Sequence, residues 1–193
     1  MLKFALIGAG RIGRMHGSII AGHTKTELVW VYDILEDNAI TTANTTQARV
    51  AKSLDEIFED DSLDAVLIAS STETHAELIV QAAKAGKAVF CEKPIDLDIK
   101  RVDWCREQIQ GLQVPIQIGF NRRFDPSHRK VADTARDGGI GNLEQVIITS
   151  RDPNPPPKEY YLAAGGMFRD MTIHDFDMAR YAVSYTHLTL PTT

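Results

Sequence analysis

The chain of 193 residues is 44% hydrophobic and 24% charged, an ordinary composition for a globular protein, with room for one full domain and part of another. Its net charge of −5 gives no electrostatic reason to expect a nucleic acid or an anionic membrane surface as a partner. No apolar run approaches the ~18 residues of a membrane span, no signal-peptide pattern opens the chain, and Cys91 and Cys105 form no C-x-x-C pair. We therefore expect a cytoplasmic protein whose thiols are packed and reduced.

The first predicted strand leads into a glycine-rich turn. An apolar run over residues 4–7 precedes Gly8, Gly10 and Gly13, which have the spacing G-x-G-x-x-G. In turns of this kind the first glycine permits the sharp turn, and the second lets the backbone approach a pyrophosphate. The third lets the following helix pack closely on the strand. The N-terminus of that helix would then point its N–H groups at the phosphates of a dinucleotide.

A second predicted strand, over residues 27–32, ends at an acidic residue. Asp33 lies twenty positions beyond Gly13. A carboxylate at this place can accept hydrogen bonds from both ribose hydroxyls of the adenosine half, and it would repel a 2′-phosphate. Asp33 therefore favours NAD over NADP. The alternative is that Asp33 only caps the next turn.

Strands and helices then alternate as far as residue 120. Ser53-x-x-Glu56 and Thr74-x-x-Glu77 have the form of capping boxes, and each predicts the start of a helix. The remaining predicted strands are 48–51, 64–70, 88–91 and 115–120. Helices are predicted to start near residue 35, to end at Phe58, to stop at Gly86 and to end near Gly111. The last of these helices has Ile99, Val102 and Ile109 on one face. This spacing predicts an α/β domain over residues 1–120, with right-handed crossovers and a doubly wound parallel sheet.

The pattern changes after residue 120. Residues 121–183 predict the beginning of a second, incomplete α/β domain. Its predicted elements are a helix over 126–137, a β-rich run over 143–150, a proline-rich extended loop over 151–158 and a helix over 173–182. The last ten residues, 184–193, fit no preceding pattern and are interpreted as foreign or truncated sequence. A disordered native terminus is the alternative.

Polar residues follow three predicted strands at their carboxyl ends, where open α/β sheets bind their ligands. The groups are Ser70-Ser71-Thr72 with His75, Glu92-Lys93, and Asn121-Arg122-Arg123. A lysine at a strand end, fixed by the following proline, could hold a substrate hydroxyl and share its proton. The alternative for Lys93 is a surface ion pair with Glu92. His75 could form a hydrogen bond near the nicotinamide ribose, or be a polar residue in the first turn of a helix.

Asp170 and His174 are separated by four positions. On one helix this spacing puts the carboxylate and the imidazole on the same face, and the pair could also meet across the first turn if the helix began after Asp170. An acid that orients an imidazole makes a general base for a hydroxyl proton. A structural hydrogen bond is the alternative. A metal site is not expected, because no third ligand stands at a standard spacing.

Four motifs, GAGRIG, EKP, GFNRRFDPSH and GGMFRDMTIHDFDMARY, together resemble the glucose–fructose oxidoreductase/inositol dehydrogenase family. Within that family the sequence is most similar to the NAD-dependent myo-inositol 2-dehydrogenases, and the resemblance covers residues 1 to about 182. It implies a Rossmann domain followed by an α/β domain on a large open sheet, commonly assembled as a homotetramer. It also implies an oxidoreductase that transfers a hydride from C2 of myo-inositol to NAD and gives the 2-keto inosose.

The resemblance also implies roles for individual residues. Lys93 would polarise the reacting oxygen, His174 would take the hydroxyl proton, and Asp170 would orient both. Other hydroxyls of a polyol ring would be held by Arg122, Asp152 and Asn154. The cofactor-binding residues would be Gly8, Gly10, Arg11, Ile12, Gly13, Asp33, Ser70, Ser71, Thr72, His75, Glu92 and Lys93.

Family members continue for roughly as many residues again. We therefore expect the 193-residue chain itself to bind NAD weakly and to turn over little or no inositol. Another cyclitol or sugar, such as scyllo-inositol or glucose, remains open as the substrate. Two other classes are a non-catalytic nucleotide-sensing module, against which Lys93, Asp170 and His174 argue, and a methyltransferase-like fold, which Asp33 and the motifs disfavour.

Overall fold

The computed structural model describes residues 1–151, 154 and 164–183. The chain divides into two compact units, Met1–Gly119 and Phe120–Thr193. No helix in these described ranges combines the length and the apolar character needed to cross a membrane. Asp152 and the tail 184–193, to which the sequence analysis assigned roles, lie outside the described residues.

The first unit is built on a six-stranded sheet in which every pairing is parallel. Its strands are β1 (Leu2–Ile7), β2 (Thr26–Tyr32), β3 (Arg49–Val50), β4 (Ala65–Ile68), β5 (Ala88–Cys91) and β6 (Ile116–Ile118), and its helices are α1 (Arg11–Gly22), α2 (Glu36–Thr46), α3 (Asp55–Phe58), α4 (Thr72–Lys84) and α5 (Ile99–Ile109). The strand order is β3-β2-β1-β4-β5-β6. The order reverses between β1 and β4, which places the crevice that binds ligands in such sheets next to the end of β1. The predicted doubly wound α/β sheet is confirmed.

Helices cover both faces of this sheet, so the second half of β1 and the whole of β4 are apolar and buried. All four residues of β4 are buried. Side chains of a strand point alternately to the two faces, so Ile7 and Ile68 join one core cluster while Leu6 and Leu67 join the other. The first cluster includes residues of α3, α4 and α5, and the second includes residues of α1 and α2.

Both cysteines lie inside the first core cluster. Cys91 and Cys105 are free thiols, exposed by 0% and 2%. Burial raises the pKa of each thiol. The expectation of packed thiols is confirmed.

One predicted capping box is wrong and the other is altered. Helix α4 begins at Thr72, so Thr74 lies inside its first turn, where its hydroxyl donates to the Ser71 carbonyl at 2.7 Å. Before α3, the Ser53 hydroxyl accepts from the Glu56 N–H at 3.3 Å, but the Glu56 carboxylate accepts from the N–H of Lys52 at 2.9 Å. The capping-box pattern identified both helices but not the residues at which they start, Asp55 and Thr72.

The apolar face predicted for the helix ending near Gly111 is also partly wrong. Ile99 is the first residue of α5 and 68% exposed, whereas Ile109 packs against the first core cluster. The helix is capped by Asp98, whose carboxylate accepts from the N–H of Lys100 at 2.9 Å. The first residue of the helix therefore lies outside the core, and contacts with the first core cluster come from Trp104, Cys105 and Ile109.

The regular secondary structure in the described part of the second unit is helical. A short 3-10 helix (Asn121–Phe124) is followed by α6 (Pro126–Arg136), α7 (Met167–Asp170) and α8 (Thr172–Val183). Asp125 caps α6, because its carboxylate accepts from the N–H groups of Ser127 and His128, each at 2.9 Å. Helix α6 packs against α8.

The prediction of a β-rich run over residues 143–150 is wrong. No strand is assigned there, and Val146, Ile147 and Ile148 are exposed by 43%, 79% and 41%. A strand forms only where a neighbouring strand accepts its backbone hydrogen bonds, and the described residues of this unit contain none. The proline-rich loop predicted over 151–158 falls mostly outside the described residues.

Candidate functional site

The glycine turn joins β1 to α1 in a space that admits no side chain at two of its glycines. Gly8 has φ +93°, and a Cβ there would lie 2.4 Å from the backbone nitrogen of Ser70. A Cβ on Gly13 would lie only 1.9 Å from the carbonyl oxygen of Gly8. The turn, the start of α1 and the end of β4 are therefore packed backbone against backbone. These are the steric roles that the sequence analysis assigned to the first and third glycines.

Gly10 stands in a different environment. A Cβ at Gly10 would meet no described atom within 4 Å. Gly10 is also the N-cap of α1, where no side chain caps the helix and no acidic residue stands in its first turn. The first N–H groups of a helix have no partner within the helix, and with the positive end of its dipole they suit an anion. Space and electrostatics at this point therefore fit the diphosphate of a dinucleotide.

Asp33 follows β2 and its carboxylate reaches the glycine turn. One oxygen accepts from the N–H of Ala9 at 2.6 Å, and the other accepts from the N–H of Leu35 at 2.8 Å. The residue does cap the next turn, which was the alternative raised from the sequence. It also ties that turn to the glycine motif, and its two oxygens retain lone pairs for further donors.

The segment Glu92-Lys93-Pro94 leaves the end of β5, and its first side chain is held by a histidine that the sequence analysis did not select. The Glu92 carboxylate lies 2.7 Å from the ring Nε2 of His16, a residue of α1. It also packs on the backbone of Gly119, where a Cβ would come within 3.1 Å of the Glu92 Oε2 atom. No local pattern marks the pair, because 76 positions separate its members.

The environment of Glu92 favours its ionised form. Burial by itself would raise the pKa of this carboxyl. The hydrogen bond and charge of His16, together with the N–H and the charge of Lys93, outweigh burial and hold the pKa of Glu92 below its usual range. Glu92 is therefore a carboxylate at neutral pH.

Glu92→Gln is expected to reduce the free energy of unfolding by about 1–3 kcal/mol at neutral pH, because a charge-assisted hydrogen bond is lost. The pKa of Glu92 is lower in the folded than in the unfolded state, so its stabilisation is complete above the ordinary carboxyl pKa of 4.5 and is lost as the pH falls through the lower, folded value. Urea unfolding at several pH values should show wild type and variant converging in acid. Glu107→Gln, at an exposed carboxylate of α5, is the matched control. A difference that stays constant into acid would contradict this assignment.

His75 lies in the first turn of α4 and is 2% exposed. Its Nδ1 is 2.8 Å from the carbonyl oxygen of Pro94, and its Nε2 is 3.0 Å from the carbonyl oxygen of Ser70. The Ser70 hydroxyl in turn pairs with that of Thr74 at 2.7 Å. Both ring nitrogens of His75 face protein carbonyls, so the contact predicted with a nicotinamide ribose would require the ring to move away from one of these carbonyls.

In the second unit, Arg122 and Arg123 are each paired with an acidic residue of α8. Arg122 donates to the Asp175 carboxylate and, at 3.3 Å, to the Ser150 hydroxyl. Arg123 forms a two-bond contact with Asp177, which is 8% exposed, with distances of 2.8 and 2.5 Å. These hydrogen bonds raise the pKa of Arg123. The predicted role of Arg122 toward a polyol stays a prediction, and its donors also organise the start of this unit.

Asp170 and His174 do not share one helix. Asp170 is the last residue of α7, Met171 separates the two helices, and His174 lies in the first turn of α8. The structure therefore has the second of the two arrangements predicted for them, in which the helix of His174 begins after Asp170. The His174 ring packs edge-on against Phe120, with ring centroids 6.4 Å apart. Lys93, Asp170 and His174 each have an interaction partner.

The other sequence-predicted residues are placed as follows. Asn154 is exposed, and Asp152 lies outside the described residues. Arg11 and Ile12 open α1, and Ser71 and Thr72 stand at the junction of β4 and α4. Within residues 1–151, 154 and 164–183, no three His, Cys, Asp or Glu side chains form a group that could hold a metal ion.

Two family models match the sequence. The oxidoreductase family model described as an NAD-binding Rossmann fold covers residues 2–120, and the GFO/IDH/MocA C-terminal domain model covers residues 128–187. An inositol 2-dehydrogenase of Rhizobium meliloti is 47% identical over 180 residues, which are 93% of this chain and 54% of that protein. A myo-inositol 2-dehydrogenase of Thermotoga maritima is 43% identical over 181 residues, with the same two coverages. The chain thus spans about half the length of the curated relatives it matches.

Solved structures give the same comparison. A myo-inositol dehydrogenase from Corynebacterium glutamicum is 47% identical, with a TM-score of 0.90 over 95% of this chain and 55% of that one. A scyllo-inositol dehydrogenase from Lactobacillus casei, crystallised with NAD(H) and scyllo-inositol, is 31% identical, with a TM-score of 0.83 over 95% of this chain and 56% of that one. The family resemblance inferred from the four motifs is confirmed.

Proposed function

The chain belongs to the GFO/IDH/MocA oxidoreductase family. On that premise we propose that it binds NAD at its glycine turn and forms part of an enzyme that oxidises myo-inositol at C2. The observation that carries the proposal is the turn itself. Gly8 and Gly13 are closed to any side chain, while Gly10 faces open space at an uncapped helix N-terminus. That combination leaves room for a diphosphate against backbone N–H groups at Gly10, and none at Gly8 or Gly13.

The acidic residue after β2 supports NAD as the dinucleotide. The Asp33 carboxylate is fixed by the N–H groups of Ala9 and Leu35, so its position at the end of the turn is set before any ligand arrives. An adenosine ribose next to it could donate both hydroxyls to the remaining lone pairs. A 2′-phosphate at the same place would meet a like charge.

In the proposed reaction, bound NAD supplies the hydride acceptor for the hydrogen on C2 of the polyol. The residues of the chain handle the proton and the charge. His174 accepts the proton of the C2 hydroxyl as the carbon–oxygen bond becomes a carbonyl. Lys93 donates a hydrogen bond to that oxygen, and Asp170 orients the imidazole and the ammonium. Each of these roles follows from family membership and from the chemistry of the side chain.

Myo-inositol is favoured over scyllo-inositol as the substrate. The three relatives described above that are 43–47% identical to the chain are named as inositol or myo-inositol dehydrogenases, whereas the scyllo-inositol dehydrogenase structure with bound ligands is 31% identical. Substrate choice depends on the second unit, where Arg122 already donates to Asp175 and Ser150.

A fusion tests the function. Residues 1–183 are joined to the C-terminal part of the Rhizobium meliloti relative, and this protein is called the fusion below. We expect it to form NADH from myo-inositol faster than from scyllo-inositol or glucose, and the 193-residue chain to bind NAD weakly with little turnover. The proposal would be refuted by a folded fusion that binds NAD, as measured by calorimetry, but forms no NADH from any of the three compounds. Sedimentation of the fusion tests the expected homotetramer.

Asp33→Ala in the fusion should shift cofactor preference toward NADP. A like-charge contact costs several kcal/mol, so the ratio of kcat/KM values for NADP and NAD should rise by ~10–100-fold. The NAD affinity should also fall, because Ala9 and Leu35 lose their acceptor. Asp37→Ala removes the same charge from an exposed site in α2 and should leave the ratio unchanged. An unchanged ratio in Asp33→Ala would contradict the role of this carboxylate.

A further inference from the structure

We propose that His16 and His75 hold the segment Glu92-Lys93-Pro94 from its two ends and act as positioning residues for Lys93. The proposal rests on the proposed catalytic role of Lys93, but the anchoring itself is a property of the first unit. It also gives His75 a role other than the ribose contact expected from the sequence.

The first anchor acts on the residue that precedes Lys93. His16 is 16% exposed at its side chain, and its ring Nε2 lies 2.7 Å from the Glu92 carboxylate. The ring is also held edge-on against Phe90 of β5, with centroids 5.4 Å apart. On its other side the carboxylate meets the backbone of Gly119. The Glu92 side chain is therefore fixed between a helix and the strand end.

The second anchor acts on the residue that follows Lys93. The His75 ring bridges the Pro94 carbonyl and the Ser70 carbonyl, at 2.8 and 3.0 Å. A carbonyl oxygen only accepts and a neutral imidazole carries one N–H, so the neutral ring donates to one of the two carbonyls while its other nitrogen lies against the second. A ring that is 2% exposed has no water to replace either partner. Its loss would remove the hydrogen bond that one of these part-buried carbonyls accepts, together with the ring that spans the two, and so release the segment after Lys93.

The two anchors come from opposite faces of the sheet. Helix α1, which carries His16, packs with the second core cluster, whereas α4, which carries His75, packs with the first. A segment held from both faces cannot slide toward either one. Lys93 lies between the two anchored residues. His16 is 76 positions from Glu92 and His75 is 19 positions from Pro94, so distant parts of the sequence fix the position of Lys93.

Both anchors also lie on helices that begin at the loops predicted to bind the cofactor. Helix α1 opens on the glycine turn, and His75 shares the carboxyl end of β4 with Ser70. A shift in either loop would thus move a residue next to Lys93, either Glu92 through its contact with His16 or Pro94 through its contact with His75. The arrangement links the cofactor-binding loops to the reacting amine, whose misplacement by 1 Å is enough to lower turnover about 10²-fold.

The test compares His75→Leu and His16→Leu, which remove the donors, with His75→Gln and His16→Gln, which keep an amide donor. The first readout needs no activity. Lysines of the 193-residue chain are labelled as ¹³C-dimethyl-lysine, and Lys93→Arg identifies the Lys93 signal. We expect that signal to move toward those of exposed lysines in the Leu variants and to return part of the way in the Gln variants. His23→Leu, at an exposed histidine after α1, is the control.

The second readout is kinetic and uses the fusion. The Leu variants should lower kcat by ~10–100-fold, with the dissociation constant for NAD within about twofold of wild type. An unmoved Lys93 signal with an unchanged kcat overturns the proposal, and so does a loss of NAD affinity that accounts for the whole loss of activity. If a Leu variant does not fold, the Gln variant of the same residue decides the question. A wild-type fusion without activity defeats the proposed function, while the lysine signal still decides the anchoring.

Discussion

Gly13→Ala is expected to destabilise the first unit by ~3 kcal/mol or more and to abolish NAD binding. The added Cβ would lie 1.9 Å from the carbonyl oxygen and 2.8 Å from the carbonyl carbon of Gly8. These are backbone atoms, so no side-chain rotation relieves the overlap, and α1 must move away from β1. Overpacking of a well-packed interior costs about 1–3 kcal/mol and sometimes more, and here the moving part is the helix that carries the binding turn. Urea unfolding of the 193-residue chain and calorimetry with NAD measure the two effects.

The matched control is Gly10→Ala, which adds the same methyl group three residues earlier. Its Cβ would meet no described atom within 4 Å, so stability should stay within about 0.5 kcal/mol of wild type. The NAD affinity should nevertheless fall, because the methyl group occupies the space proposed for the diphosphate. A Gly13→Ala chain as stable as wild type would refute the packing argument. Unchanged NAD affinity in Gly10→Ala would refute the placement of the diphosphate.

Lys93→Met in the fusion is expected to lower kcat by ~10²–10⁴-fold, the range that a positioned acid–base group contributes. Methionine keeps the length of the side chain but can neither donate to the reacting oxygen nor carry a charge. The affinity for NAD should change little, because the glycine turn and Asp33 are untouched. Single-turnover measurement of NADH formation, together with calorimetry, separates the chemical step from binding.

Two further variants sharpen the result for Lys93. Lys93→Arg retains a positive charge and donors but cannot give up its proton, so partial recovery of kcat would measure how much of the role is electrostatic. Lys100→Met removes an exposed ammonium of α5 and should have no effect. If Lys93→Met kept wild-type turnover, another residue would have to polarise the oxygen, and the purpose proposed for the two histidine anchors would be lost.

Local patterns predicted the first unit well. Apolar runs correctly located the strands from β1 to β6, and glycines located the turns after β1 and α4. They failed over residues 143–150, where apolar residues predict a strand but the described residues of the second unit contain no other strand to pair with it. They failed again at Thr74, which satisfies a capping-box pattern from inside a helix.

The sequence by itself determined the doubly wound sheet and its glycine turn, because apolar periodicity and steric demands at Gly8 and Gly13 act over a few neighbouring residues. Only the tertiary structure brought His16 to Glu92 and placed His75 between two strand ends. These contacts depend on how α1 and α4 lie across the two faces of the sheet. That arrangement is set by the packing of the whole core, so no local spacing reveals which distant side chains will form hydrogen bonds.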